Sequence, residues 1–211
     1  MEPHPKVSIV IPTKNESGDI ADIIEEVRPY GDEIMVVDGW SEDNTREVAH
    51  EKGIRVVLDG GNGKGDAIRT GIKEAAHGII VFIDADGSHD AKDIPRLVSP
   101  IIQGHADMVI GSRMRGGSDE LHGTLTELVR LWGSGVITLA INACFKQNIT
   151  DYQNGFRAIR KDAAEKLDLK EKHTTIEQEM SIECLKKGLR IAEVPAHEYR
   201  RRHGISKVNT L

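Results

Sequence analysis

The sequence predicts an α/β fold, a mostly parallel central sheet flanked by helices. Three observations carry this. Short β-branched runs alternate with segments whose apolar residues recur at helical spacing, the order expected of βαβ units. The runs are almost wholly apolar, as in strands covered on both faces. No linker, repeat or low-complexity tract interrupts the 211 residues. One domain over 1–211 is therefore expected, with a change of pattern near residue 115.

Each element has its own signal. Val7 to Ile11 is a short apolar run ended by Pro12, a first strand. Ile20, Ile23, Ile24 and Val27 recur at helical spacing behind Ser17, the expected N-cap. Ile34 to Val37 is a second strand, Ser41 to Lys52 a helix followed by Gly53, and Ile54 to Leu58 a third strand. Gly63 to Ala76 reads as a helix, Ile79 to Ile83 as a fourth strand, Ile94 to Ile102 as a helix and Met108 to Ile110 as a fifth strand. A loop with Gly116, Gly117 and Gly123 then leads into a long helical region through Phe145. Phe156 to Ile159 and Ile191 to Val194 read as strands, with a helix from Ile176 to Lys187 between them and a basic tail from Tyr199.

Composition excludes several classes. Aromatics are only 4%, too few for a base-stacking surface on single-stranded nucleic acid. A net charge of −6 argues against a chain-wide nucleic-acid footprint. Cys144 and Cys184 lie far apart and form no metal spacing; two buried thiols in a reducing cytoplasm are expected. The N-terminus, Met1 to Lys6, lacks a signal-peptide pattern. Leu131 to Phe145 carries no charge, but Gly133, Ser134, Gly135 and Asn142 interrupt it and it is shorter than the about 20 apolar residues of a spanning helix. A core helix, an oligomer interface and a helix lying on a membrane surface are the open readings there.

Four polar signals sit just past successive strand ends, the edge where open α/β sheets bind ligands. They are Pro12-Thr13-Lys14-Asn15-Glu16, Asp38, Gly60-Gly61-Asn62-Gly63-Lys64-Gly65 and Asp84-Ala85-Asp86. Two carboxylates one residue apart at a strand end suit a hard cation such as Mg2+, which takes few carboxylates beside waters and substrate phosphates. The glycine stretch has neither the Walker spacing nor G-x-G-x-x-G. As a loop opening a helix it offers backbone N–H groups to phosphate, with Lys64 adding charge, or else it is a plain turn with Lys64 in solvent. Asp38 is placed to accept hydrogen bonds from a base or ribose, and Glu16 to do likewise or to begin a helix. His89 is either a contact for acceptor or metal or a solvent-exposed loop residue. Trp132 suits a core or interface better than a sugar platform.

In this order the motifs resemble the family-two glycosyltransferases of the GT-A fold: I-P-T-K-N-E, V-V-D-G-W-S-E-D-N-T, G-K-G-x-A-I-R-T-G, D-A-D-G-S-H-D and Gly111-Ser112-Arg113. Asp151-Tyr152-Gln153-Asn154-Gly155-Phe156-Arg157 is similar to the D-x-Q-x-G-F-[KR] of dolichyl-phosphate mannosyltransferases and related polyprenyl-phosphate enzymes. So are Glu177-Gln178-Glu179, Glu193-Val194-Pro195, and Arg201 with Gly204, Ser206 and Lys207. The resemblance implies a GT-A type nucleotide-sugar-binding fold, with residues 1–115 as the nucleotide-sugar and metal half and 116–211 as the acceptor half. It implies inverting transfer of a sugar, mannose or glucose, from a GDP- or UDP-sugar to a polyprenyl or dolichyl phosphate, with Mg2+ or Mn2+. Pro12, Thr13, Glu16, Asp38, Lys64 and Asp84 would bind the nucleotide sugar. Asp84 and Asp86 would hold the metal. Arg113, Arg130, Arg201 and Lys207 are the candidates for the acceptor phosphate or the leaving diphosphate. The chain departs from the family's pattern at Lys14, Gly39, Trp40 and Gly87-Ser88, which leaves base and sugar open.

A phosphate acceptor is already ionised and needs no general base. A hydroxyl acceptor needs one, for which Asp151, Glu177 and Glu179 are the candidates. A cytoplasmic enzyme at the cytoplasmic membrane face is the leading expectation, since the basic tail suits an anionic surface. A soluble glycosyltransferase on a small-molecule or saccharide acceptor and a non-catalytic nucleotide-sugar-binding module are the alternatives.

Overall fold

The computed structural model describes residues 5–119 and 125–202, with side chains from residue 133 onward in the second stretch. Arg130, Trp132 and Lys207, named above, lie outside the described side chains.

Among the described residues, seven strands form one sheet: β1 (Val7–Thr13), β2 (Glu33–Asp38), β3 (Arg55–Leu58), β4 (Ile79–Phe82), β5 (Met108–Ser112), β6 (Arg157–Arg160) and β7 (Ile191–Pro195), in the order β3-β2-β1-β4-β6-β5-β7. The expected parallel character holds except at β6, which runs antiparallel to both β4 and β5. A four-residue run does not reveal its direction, and β6 enters the sheet only because the chain returns after a long helix. Strand neighbours alternate between two core layers, as the two-residue strand period requires. Ile9, Ile11, Val36, Val81 and Val109 face one side, and Val10, Met35, Val37, Ile80, Phe82 and Met108 the other. Burying each such side chain contributes roughly 1.5–3 kcal/mol.

Helices cover both faces. The first layer receives α1 (Ile20–Val27) through Ile20, Ile23, Ile24 and Val27, and α4 (Ile94–Ile102) through Ile94, Leu97, Val98 and Ile101. The second receives α3 (Lys64–Glu74) through Ala67, Ile68 and Ile72, and α8 (Ile176–Lys186) through Ile176, Met180, Cys184 and Leu185. The remaining helices are α2 (Thr45–Glu51), α5 (Arg113–Gly116), α6 (Leu125–Phe145) and α7 (Lys161–Ala164).

Three local expectations change. The first strand continues through Pro12 to Thr13, because β4 pairs with β1 only as far as Val10 and Pro12 pairs with Val37 of β2. The second helix starts at Thr45 instead of Ser41, because Ser41 is bound to Asp38 in the preceding turn. Asp19, not Ser17, precedes the first helix. Of the two thiols, Cys184 is buried as expected, but Cys144 on α6 is exposed. Burial pushes the Cys184 thiol up to about 12. Among the described residues, no helix is long and apolar enough to cross a membrane.

Candidate active site

The carboxyl ends of β1, β2, β3 and β4 share one edge, set by the registers Thr13 with Asp38 and Asp38 with Leu58. Pro12 is half-buried in β1 and Thr13 is buried, its hydroxyl 3.5 Å from Asp38. Glu16 is half-buried in the loop behind them, where its N–H donates to the Thr45 hydroxyl. Asp38 is fully buried, 0% exposed. Its Oδ1 accepts the Ser41 N–H at 2.9 Å and its Oδ2 the Ser41 hydroxyl. It shapes the turn after β2 more directly than it presents itself to a ligand.

The glycine stretch departs from a phosphate cradle. The Gly61 N–H donates to Asp59, the Asn62 N–H to Asp66 and the Gly65 N–H to the Lys172 carbonyl. A Cβ at Gly65 would lie 1.9 Å from the Glu171 carbonyl oxygen, so glycine there admits the neighbouring backbone and not a phosphate. Nor is Lys64 in solvent. Its ammonium lies 2.7 Å from Asp84 Oδ1 and 2.7 Å from Glu177 Oε1. Burial would lower its pKa, but the two carboxylates outweigh that and hold Lys64 firmly protonated.

Lys64 therefore ties the D-x-D pair to α8 in the second half. Glu177 is 2% exposed, and its Oε2 is buried without a hydrogen-bond partner. This burial takes Glu177 off the solvated face of its helix. Gly155 explains part of the D-x-Q-x-G-F-R motif: a Cβ there would lie 2.7 Å from Asp84 Oδ2 and 3.0 Å from Lys64 Nζ. Arg157 explains another part, and it carried no assigned role in the sequence. Its fully buried guanidinium donates to the carbonyls of Tyr152, Asn154 and Glu177, the last at 2.7 Å, and so fixes the backbone that presents Glu177.

Asp86 accepts the Ser88 N–H at 3.0 Å, and its Oδ2 is 2.9 Å from Arg201 Nη2. Burial opposes ionisation of Asp84, but the charges of Lys64, His89 and Arg201 keep it below the usual carboxylate range. Two carboxylates at a strand end form a hard-oxygen donor set, which fits Mg2+ or Mn2+ completed by waters and substrate phosphates. His89 is not an exposed loop residue: it is buried and stacked on Phe156 with centroids 5.0 Å apart. Burial lowers its pKa against the pull of Asp84 and Asp86.

Asp151 and Arg113 form a pair of their own. Arg113 Nε and Nη2 reach Asp151 Oδ2 and Oδ1 at 2.7 and 3.0 Å, and Nη1 reaches Glu198 at 3.2 Å. Burial raises the Asp151 pKa, but Arg113 outweighs it and holds the carboxyl below the ordinary range. With both oxygens occupied, Asp151 is unsuited to act as a general base. Glu179 is corrected likewise, since its carboxylate accepts the N–H groups of Lys170 and Glu171. Nothing in the sequence singles out Glu198, whose partners Arg113 and Ser118 are remote in the chain.

Residues 8–168 match the family described as Glycosyl transferase family 2. Glycosyltransferase AglJ of Haloferax volcanii is 34% identical over 94% of this chain, which spans 64% of the length of that relative. The UDP-N-acetylglucosamine–dolichyl-phosphate N-acetylglucosaminyltransferase of Methanococcus voltae is 30% identical over 90% of this chain and 84% of its own length. The crystal structure of glucosyl-3-phosphoglycerate synthase from Mycobacterium tuberculosis with Mn2+, UDP-glucose and phosphoglyceric acid superposes with a TM-score of 0.77 over 97% of this chain and 73% of that one. At 24% identity it shares the fold. With the profile over most of its length and relatives at this identity, the chain belongs to glycosyl transferase family 2.

Proposed function

We propose that the protein transfers a sugar, with inversion, from a nucleotide diphosphate sugar to a polyprenyl or dolichyl phosphate at a membrane face. The observation that carries this reading is the Lys64 junction, which brings Asp84 of the donor edge and Glu177 of the second half to the same ammonium. The N-acetylglucosaminyltransferase relative, named for a dolichyl-phosphate acceptor, supports it.

Pro12, Thr13 and Glu16 line the nucleoside end, with Asp38 shaping the turn behind them. Lys64 faces the diphosphate. Asp84 and Asp86 would hold Mg2+ or Mn2+, which when bound stabilises the departing diphosphate as a Lewis acid. Arg201 adds fixed positive charge at Asp86. Arg113, Arg130 and Lys207 are assigned to the acceptor side. An acceptor phosphate is ionised at neutral pH and attacks without a base.

The membrane contact is assigned to α6. No side chain from Gly133 to Ala140 is buried, with Val136 62% and Leu139 70% exposed. A stretch of helix with no charge on any side and Val136, Ile137 and Leu139 exposed calls for an apolar neighbour. One observation favours a second reading, a hydroxyl acceptor: the unpartnered Glu177 Oε2 could take a proton. Labelled donor offered to dolichyl phosphate in detergent and, separately, to sugar and small hydroxyl acceptors decides between them. Label in the lipid is expected. Label only in hydroxyl acceptors overturns the lipid assignment, and no transfer to either acceptor overturns both.

A further inference from the structure

The donor edge carries a second carboxylate that none of the motifs names, and its chemistry bears on which base the donor carries. At the ends of β1, β2 and β3 three short segments lie side by side. The Gly39 N–H donates to the Thr13 carbonyl at 2.8 Å, and the Asp59 N–H to the Asp38 carbonyl at 3.1 Å. Asp38 is committed to Ser41 through both oxygens. Asp59 is committed through one. Its Oδ1 accepts the Gly61 N–H at 2.7 Å, and its Oδ2 lies 3.5 Å from where a Cβ on residue 39 would stand. Because residue 39 is glycine, no side chain fills that space. Burial holds Asp59 above the ordinary carboxylate range, with the Gly61 N–H opposing and the charges of Asp66 and Asp38 adding.

Trp40 is held on the backbone of the same residue. Its backbone is left-handed, φ 61°, an outlier for a bulky residue and the kind of strain that persists where surroundings enforce it. The indole Nε1 donates to the Asp59 carbonyl at 3.0 Å, which fixes the ring. Cδ1 lies over Gly61, where an added Cβ would come within 3.3 Å. Yet Trp40 is 54% exposed. An aromatic ring fixed on the Asp59 carbonyl and the second carboxylate oxygen of the same residue thus flank Gly39 and Gly61 at the end of the edge.

We propose that Asp59 and Trp40 read the base of the nucleotide, and that the base is an imide pyrimidine of the uracil type: Asp59 Oδ2 accepts the imide N3–H while the indole lies along the ring. The inference rests on the nucleotide-sugar reading above and names its base. Guanine presents two adjacent donors, N1–H and the N2 amine, that a carboxylate meets with two oxygens, and Asp59 Oδ1 is taken by Gly61. Cytosine presents an acceptor at N3, opposite in sense to a carboxylate.

Calorimetric titration of UDP, CDP and GDP with Mn2+ tests this in the wild type and in the Asp59→Asn, Trp40→Ala and Trp40→Phe variants. The wild type should bind UDP about 10-fold or more tighter than CDP or GDP, since a site built around a substrate N–H rejects analogues lacking it. Asp59→Asn, whose amide can also donate, should bring the UDP to CDP ratio near one. Trp40→Ala should weaken UDP and CDP by similar factors, and Trp40→Phe should recover most of that loss. Thermal melting reports folding, and Gly39→Val, which fills the space before Oδ2, serves should Asp59→Asn not fold. An Asp59→Asn or Gly39→Val protein that keeps the wild-type UDP to CDP ratio, or a wild type that prefers GDP, overturns the assignment and leaves the donor reading standing. A wild type that binds no nucleotide overturns both.

Discussion

The two halves of the chain reach the site by different physics. In the first, residues 1–115, chemistry sits at strand ends: four βα turns in sequence order place Thr13, Asp38, Asp59 and Asp84 on one edge, as sheet topology requires. In the second, residues 116–211, chemistry is assembled by contacts between remote residues, Glu177 to Lys64, Asp151 to Arg113 and Glu198 to Arg113. An edge built from local turns can be read as a pattern. A network built from distant pairs shows only once the chain is folded.

Four perturbations break or sharpen this contrast, and the largest effect belongs to the first half. Asp86→Ala removes one of two carboxylates from the metal edge, and transfer should fall by on the order of 10²–10³-fold. The rate with saturating Mn2+, measured at a temperature where melting shows the variant folded, checks this; a rate within two-fold of wild type would remove Asp86 from the metal site.

Next come the long-range pairs, which should register as stability. Asp151→Asn leaves the half-buried Arg113 guanidinium with Glu198 as its one remaining carboxylate and should cost about 3 kcal/mol at pH 7, read from urea midpoints. The pH dependence has a defined sign. The folded pKa of Asp151 lies below its unfolded value of about 4, so the pair's contribution is present above that value and fades as pH falls through the folded one. Asp151→Asn should flatten that acid limb. If the limb keeps its slope, other carboxylates carry the linkage.

Glu177→Gln separates the two acceptor readings by size. With a phosphate acceptor the rate should drop about 10-fold or less, through the weakened hold on Lys64. A loss of about 10²–10⁴-fold, the range for a removed general base, points to a hydroxyl acceptor. The smallest thermodynamic effect is expected on α6. Leu139→Glu is exposed and should change stability by no more than about 0.5 kcal/mol, while co-sedimentation with anionic vesicles falls several-fold. Unchanged vesicle binding would move the membrane contact off this helix.

The same contrast accounts for what the sequence made legible. The strand and helix alternation, the D-x-D edge and the Glu177 position are periodic or contiguous signals. The antiparallel run of β6, the commitment of Asp38 to Ser41 and the pairing of Asp151 with Arg113 depend on which segments become neighbours, and no spacing along the chain encodes that. Arg157 lies between: its motif is visible, but its work on the carbonyls of Tyr152, Asn154 and Glu177 belongs to the fold. Asp59 ends a strand like the other edge acids, yet in the sequence it reads only as the start of a glycine turn.

The central claim is that one site joins both halves at Lys64. A crystal structure with UDP and Mn2+ tests it most directly. The metal should sit on Asp84 and Asp86, the diphosphate within hydrogen-bond reach of Lys64, and Glu177 should face the same space. A nucleotide bound away from that edge, or a metal touching neither Asp84 nor Asp86, would contradict it.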